Sequence, residues 1–138
     1  MKTKILDGSN IIRKFYMGNS TRFDFALEQQ LASLLVRAMS FLREDDCRVE
    51  IYFDGGKRDV WHGDELVEVL FSENKKADDL IVNTVADLVE NYNQPVEVIT
   101  QDRELCQRCI AYGAETMNTN RFLVHFSNYL NYQNAAFA

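Results

Sequence analysis

At 138 residues, 46% of them apolar or aromatic, with one proline and six glycines, the chain has the length of one domain and enough apolar content for a packed core, which excludes a disordered or linker-rich protein. The net charge of −6, from 15 basic and 21 acidic residues, argues against a protein that holds nucleic acid by overall positive charge. No apolar run approaches the roughly 20 residues of a membrane span, no signal-peptide stretch opens the chain, and three cysteines are an odd number, so a reducing, cytoplasmic setting without structural disulfides is expected.

In chain order, Thr3–Asp7 is a short strand closed by Asp7-Gly8-Ser9-Asn10. Residues 24–43 carry Phe25, Leu27, Leu31, Leu34, Leu35, Ala38, Met39 and Leu42 at the spacing of an amphipathic helix. Arg48–Asp54 is a second strand, stopped by Asp54-Gly55-Gly56, and Leu66–Phe71 a third. Ala77–Asn91 repeats Leu80, Ile81, Val85, Leu88 and Val89 at helical spacing, with Asp78 and Asp79 in its first turn, where the helix dipole favours acids. Pro95–Thr100 is a fourth strand. Asp102 opens a helix through about Tyr112, and Gly113 ends it as a C′ glycine. Ala114–Met117 reads as a short fifth strand and Asn118–Tyr132 as a last helix, ahead of a short C-terminal tail.

Strands alternating with helices predict βαβ units and a mainly parallel sheet of about five strands in one α/β domain over residues 1–138, with its core at about 3–132. Right-handed crossovers put helices on both faces, giving three layers. Ligands of such sheets sit outside the carboxyl ends of the strands, and that is where the acids gather. Asp7, Asp54 and Asp102 each end a strand, and Asp78 opens a helix after the third strand. Each also has an ordinary structural role open to it, as a turn former or a helix N-cap. Asp54, before two glycines, is the weakest of the four. Their joint placement favours a site. Clustered carboxylates repel one another unless protonated or bridged by a cation, and hard divalent ions such as Mg²⁺ and Mn²⁺ take oxygen ligands. Only His62 and His125 are available as imidazole ligands, which disfavours a zinc site.

Ile5-Leu6-Asp7-Gly8-Ser9-Asn10-Ile11-Ile12 resembles the opening signature of NYN domains, and of their YacP-like branch in particular. The likeness continues through Tyr52-Phe53-Asp54, Lys76-Ala77-Asp78-Asp79-Leu80-Ile81, Val98-Ile99-Thr100-Gln101-Asp102-Arg103 and Ala111-Tyr112-Gly113-Ala114. It covers residues 3 to about 125. The resemblance implies a PIN-like parallel sheet and a metal-dependent endoribonuclease that hydrolyses RNA with Mg²⁺ or Mn²⁺. By the same resemblance Asp7, Asp78 and Asp102 match metal-binding acids, Asn10 an asparagine that supports the first of them, and Arg103 the basic residue beside the last. Asp54 matches a strand-end acid of variable role. Asp79 stands where YacP-like members often have a small polar residue. The stretch Gly55–Asp64, with Trp61 and His62, has no counterpart in the pattern.

Setting aside the four acids takes the net charge from −6 to −2. Basic residues flank the same strand ends: Arg13 and Lys14, Lys57 and Arg58, Lys75 and Lys76, and Arg103. They are candidates for phosphate contact, and Phe15, Tyr16 and Trp61 for stacking on unpaired bases. Each is equally well read as solvated surface or core edge. Cys106-Gln107-Arg108-Cys109 lies inside a helix without a second pair and reads as packing. A non-catalytic RNA-binding or protein-interaction module on the same fold stays open as an alternative. A phosphatase of the haloacid dehalogenase type needs a second Asp two residues after the first, where this chain has Ser9. No phosphate-binding glycine loop marks a nucleotide cofactor. The expected partner is RNA, without membrane, and a homo-oligomer or a ribosome-associated partner is left open.

Overall fold

The computed structural model describes residues 1–17 and 25–136. Its elements run β1 (Lys2–Asp7), α1 (Gly8–Met17), α2 (Phe25–Leu42), β2 (Cys47–Phe53), β3 (Val67–Phe71), α3 (Ala77–Tyr92), β4 (Val96–Ile99), α4 (Arg103–Ala111), β5 (Glu115–Met117) and α5 (Thr119–Ala136). The strands form one sheet in the order β3-β2-β1-β4-β5, and every pairing is parallel. β1 is central, with Asp7 level with Tyr52 and Leu6 level with both Ile51 and Ile99. The chain builds outward from β1 to β2 and β3, then returns to β4 on the other side. The reversal leaves a switch point between β1 and β4, the crevice where sheets of this kind hold ligands.

The alternation of side chains along the strands separates two apolar layers. Leu6, Val49, Ile51, Phe53 and Ile99 face α1, α2 and α5, where they pack with Ile11, Leu35, Val36 and Phe126. Ile5, Tyr52, Val96 and Val98 face α3 and α4, against Ile81, Val85, Leu105 and Cys109. The expected three-layer α/β arrangement is what forms. No helix among the described residues is long and apolar enough to cross a membrane.

Of the two structural roles open to Asp7, the helix N-cap is the one that forms: Gly8 begins α1, whose Ile11 and Ile12 are buried. Arg13 and Lys14 therefore sit on a helix rather than in a loop. The Gly55–Asp64 stretch has no regular secondary structure. It belongs to the crossover from the carboxyl end of β2 back to the start of the parallel neighbour β3. Such a return is usually made by a helix; here irregular chain makes it, pinned on α2. Val60 is buried in the α2 layer, the Trp61 backbone N–H donates to Ser33 Oγ at 3.1 Å, and Arg43 Nε reaches Asp64 Oδ2 at 3.3 Å. Other element ends move by one to four residues, and residue 24, the expected start of α2, lies outside the described residues.

Candidate active site

The four acids project from the carboxyl edge of the sheet. Asp7 ends the central strand, Asp54 directly follows β2 and Asp102 follows β4 by three residues, while Asp78 is the second residue of α3. Asp7 is buried. Its Oδ2 accepts from Thr100 Oγ1 at 3.0 Å, and its carboxylate also accepts from the Asn10 backbone N–H, which makes it the N-cap of α1. Burial pushes its pKa up from 3.8 to about 7, with the negative charges of Asp78 and Asp54 adding to the rise and the two hydrogen bonds opposing it. Burial is also the largest cause of the raised pKa of Asp78, followed by the charges of Asp102 and Asp54. A hydrogen bond between the Asp78 and Asp102 carboxyl groups adds to it, so these two side chains meet directly.

Asp102 and Asp54 each have a structural role as well. Asp102 caps α4, with Oδ1 accepting from the Leu105 N–H at 3.1 Å. Asp54 Oδ1 accepts from the Ala77 N–H at 3.2 Å. It thereby caps α3 from another element, where Lys76 at the N-cap position offers no side-chain bond. Asp54, the weakest of the four from sequence, thus ties the end of β2 to the helix that bears Asp78. Asn10 Oδ1 accepts from the Gln101 N–H at 3.4 Å and from Thr119 Oγ1 at 3.3 Å, joining α1 to the switch-point loop and to the start of α5.

Hydroxyl groups that the sequence reading left without a role hold this frame. Thr100 donates to Asp7 and accepts from the Asp102 N–H at 3.1 Å, bridging the two sides of the switch point. Ser9 Oγ accepts from the Asp54 N–H at 2.9 Å, and Ser72 Oγ from the Gly55 N–H at 3.0 Å. Ser9, Ser72, Thr100 and Thr119 are all buried. The available signal was a small polar residue directly at a strand or helix end, next to an acid. Thr100→Val keeps the shape but strands the Asp102 N–H and removes a donor from Asp7. A loss of about 1–3 kcal/mol is expected at pH 8 in EDTA. The loss should be smaller at pH 5, where Asp7 is protonated, and Thr100→Ser should restore most of it. Urea unfolding midpoints at the two pH values check this.

Of the basic candidates, Arg103 is the exposed first residue of α4, and Lys57, Lys75, Lys76 and Arg13 are exposed as well. Arg58 is partly buried, 3.3 Å from Glu28 Oε1 and over the Phe71 ring. Phe15 packs edge-on against Phe126, and Tyr16 is buried, so neither is a platform for bases. Trp61 lies under the Arg37 guanidinium beside α2. Cys109 is buried in the α3–α4 layer, and Cys106 approaches the Thr100 carbonyl at 3.9 Å, in keeping with packing.

The donor set fits a hard divalent cation: four carboxylates on one edge, one of them pushed towards protonation by its burial, with the charges of Asp78 and Asp54 adding to the effect. It is not a finished cage. Among the described residues no three acid, histidine or cysteine side chains are grouped closely enough to hold an ion. Like charges facing one another favour separation unless a cation or a proton lies between them.

The family model of the YacP-like NYN domain matches residues 4–135. Two solved structures of Rae1 (YacP) from Bacillus subtilis are similar to the chain. One, a tryptophan-to-leucine variant, has 22% identity and a TM-score of 0.71, over 93% of this chain and 76% of that one. The other has 18% identity and a TM-score of 0.67, over 99% and 80%. At these identities the likeness concerns the fold. No curated protein matches the chain.

Proposed function

We propose, because the chain belongs to the YacP-like NYN domain family, that it is a metal-dependent endoribonuclease working at the carboxyl edge of its sheet. Family membership supports a nuclease-like part in RNA processing. The observation that carries the finer reading is the buried carboxyl of Asp7, raised to about 7 beside Asp54 and Asp78. A fold that buries an acid among acids lowers its own stability near neutral pH, which is understandable where a cation occupies the site.

Asp7, Asp54, Asp78 and Asp102 would hold Mg²⁺ or Mn²⁺. Such an ion, when bound, lowers the pKa of a coordinated water and offsets charge building on a phosphoryl group. The chain's own residues supply the remainder. Thr100 and the Asn10 backbone N–H fix the Asp7 carboxylate, while the Asn10 side chain fixes the loop that leads to Asp102. Arg103, Lys75, Lys76, Lys57, Arg58 and Arg13 each lie within six residues of one of the four acids along the chain. They would contact phosphates on either side of the cleaved bond, fixing the strand without reading its sequence.

The test is incubation with single-stranded and structured RNA, labelled at either end, in Mn²⁺, Mg²⁺ or EDTA, with Asp102→Asn alongside. Internal fragments are expected with either ion and none in EDTA or with the variant. Undiminished cleavage in EDTA would remove the metal from the reading. RNA bound but uncut under every condition would favour the non-catalytic module.

A further inference from the structure

The β2–β3 crossover does more than return the chain. Between its outer segment and the edge strand β3 lies a crevice of about 690 Å³, within the roughly 300–1,000 Å³ typical of small-molecule sites. Lys57, Arg58 and His62 line it together with the apolar Val60, Val69 and Phe71. Asp59 is the one acid among the lining residues. Lys57 stands three residues beyond Asp54, and Phe71 is the last residue of β3, at the carboxyl end of the sheet.

Arg58 gives this crevice a built element. Its guanidinium lies 5.3 Å over the Phe71 ring and 3.3 Å from Glu28 Oε1. Nη2 is nonetheless buried without a hydrogen bond, since Glu28 is close but out of line. A Cβ on Gly55, whose φ is +91°, would come within 3.1 Å of Arg58 Nη1. The glycine turn after Asp54 therefore closes down over the arginine. The guanidinium is held in place before any ligand arrives, so keeping its charge beside the crevice costs little further conformational entropy.

We propose that this crevice is a nucleotide subsite for single-stranded RNA. One phosphate lies against Lys57, His62 and Arg58, and the adjoining base against the Val60–Val69–Phe71 wall. Cations set apart from the acids let a polyanion be held where the carboxylates alone would repel it. An apolar wall, which reads no hydrogen-bonding edge, accepts any base, because every base has a π-face. The inference rests on the nuclease reading for its biological setting and deepens it: Lys57 and Arg58, already assigned to phosphate contact, join His62 and the apolar wall in one subsite.

The probe is adenosine 5′-monophosphate, titrated calorimetrically into the full chain in EDTA, with adenosine and inorganic phosphate as separate arms. Adenosine 5′-monophosphate is expected to bind, with each fragment at least tenfold weaker. Lys57→Ala with His62→Ala, both exposed positions, should weaken it roughly tenfold or more, the effect of losing charge-assisted hydrogen bonds. Mn²⁺ binding by the same double variant, followed by electron paramagnetic resonance, should equal wild type. No binding of the nucleotide, or equal binding by the double variant, overturns the subsite. Nucleotide binding that survives in a protein unable to bind Mn²⁺ or cut RNA supports the subsite while removing the nuclease reading.

Discussion

Asp7→Asn is expected to cut RNA cleavage a hundredfold or more and, in EDTA at pH 8, to make the protein more stable than wild type. The first effect follows from removing a central ligand charge, since metal stabilisation of a transferring phosphoryl group is worth several kcal/mol and each 1.4 kcal/mol is about tenfold in rate. The second follows from titration. Asp7 has an ordinary pKa of 3.8 and a folded value of about 7. Between those values the fold keeps a proton that the unfolded chain has released, so wild-type stability falls as pH rises through the window. Above pH 7 the loss is complete, on the order of 4 kcal/mol at its upper end. Asparagine never ionises, and its side-chain oxygen still accepts from Thr100. Wild type and variant should therefore match at pH 4 and separate by pH 8. Adding Mn²⁺ should reverse their order, because only wild type gains stability from binding the ion at this carboxylate. Thermal melts at pH 4 and pH 8, with EDTA and with Mn²⁺, measure all of this. A variant less stable than wild type at pH 8 in EDTA would mark Asp7 as structural.

What the sequence made legible, and what it hid, divides by the range of the interaction. Asp7, Asp54 and Asp102 stand out because apolar strands stop at them, and parallel strands place such residues on one edge without any knowledge of packing. The helix α1 is hidden because Gly8-Ser9-Asn10 is turn chemistry by local preference. It is helical because Asp7 caps it and because Ile11 and Ile12 are drawn into the sheet core, both tertiary facts. Asp54 looked the least remarkable of the acids because its partner, the Ala77 N–H, is 23 residues away. Thr100 was within the recognised motif, yet its bond to Asp7 spans 93 residues. The crossover after Asp54 had no periodicity to read, since one buried residue, Val60, and a few polar contacts hold it to α2. The family resemblance supplied the order of the motifs, and the fold supplies the reason for that order: three of them end neighbouring strands around the switch point.

Gly8→Ala is expected to destabilise the fold by about 1–3 kcal/mol, the usual cost of forcing extra volume into a packed site, and to weaken Mn²⁺ binding as well. Alanine at the first helical position would otherwise be favourable by up to about 1 kcal/mol over glycine. Space decides against it. A Cβ at Gly8 would lie 2.6 Å from Phe53 Cε1 and 2.8 Å from the Tyr52 carbonyl oxygen. The Tyr52 carbonyl belongs to β2, directly paired with β1, and Phe53 is fully buried and stacked on Phe71. Neither can yield without opening the sheet edge or shifting the start of α1. That start holds Asp7 through the Asn10 N–H and Asp54 through Ser9, so strain there reaches two of the four acids. Gly56→Ala is the control. It lies in the same segment as Asp54, meets nothing within 4 Å and needs no positive φ. It should be neutral, or stabilising by up to about 1 kcal/mol through the unfolded chain. Urea midpoints and Mn²⁺ affinities for both variants separate close packing from glycine flexibility. Equal, small effects at Gly8 and Gly56 would mean that the approach of α1 to β2 relaxes freely and does not set the spacing of the acids.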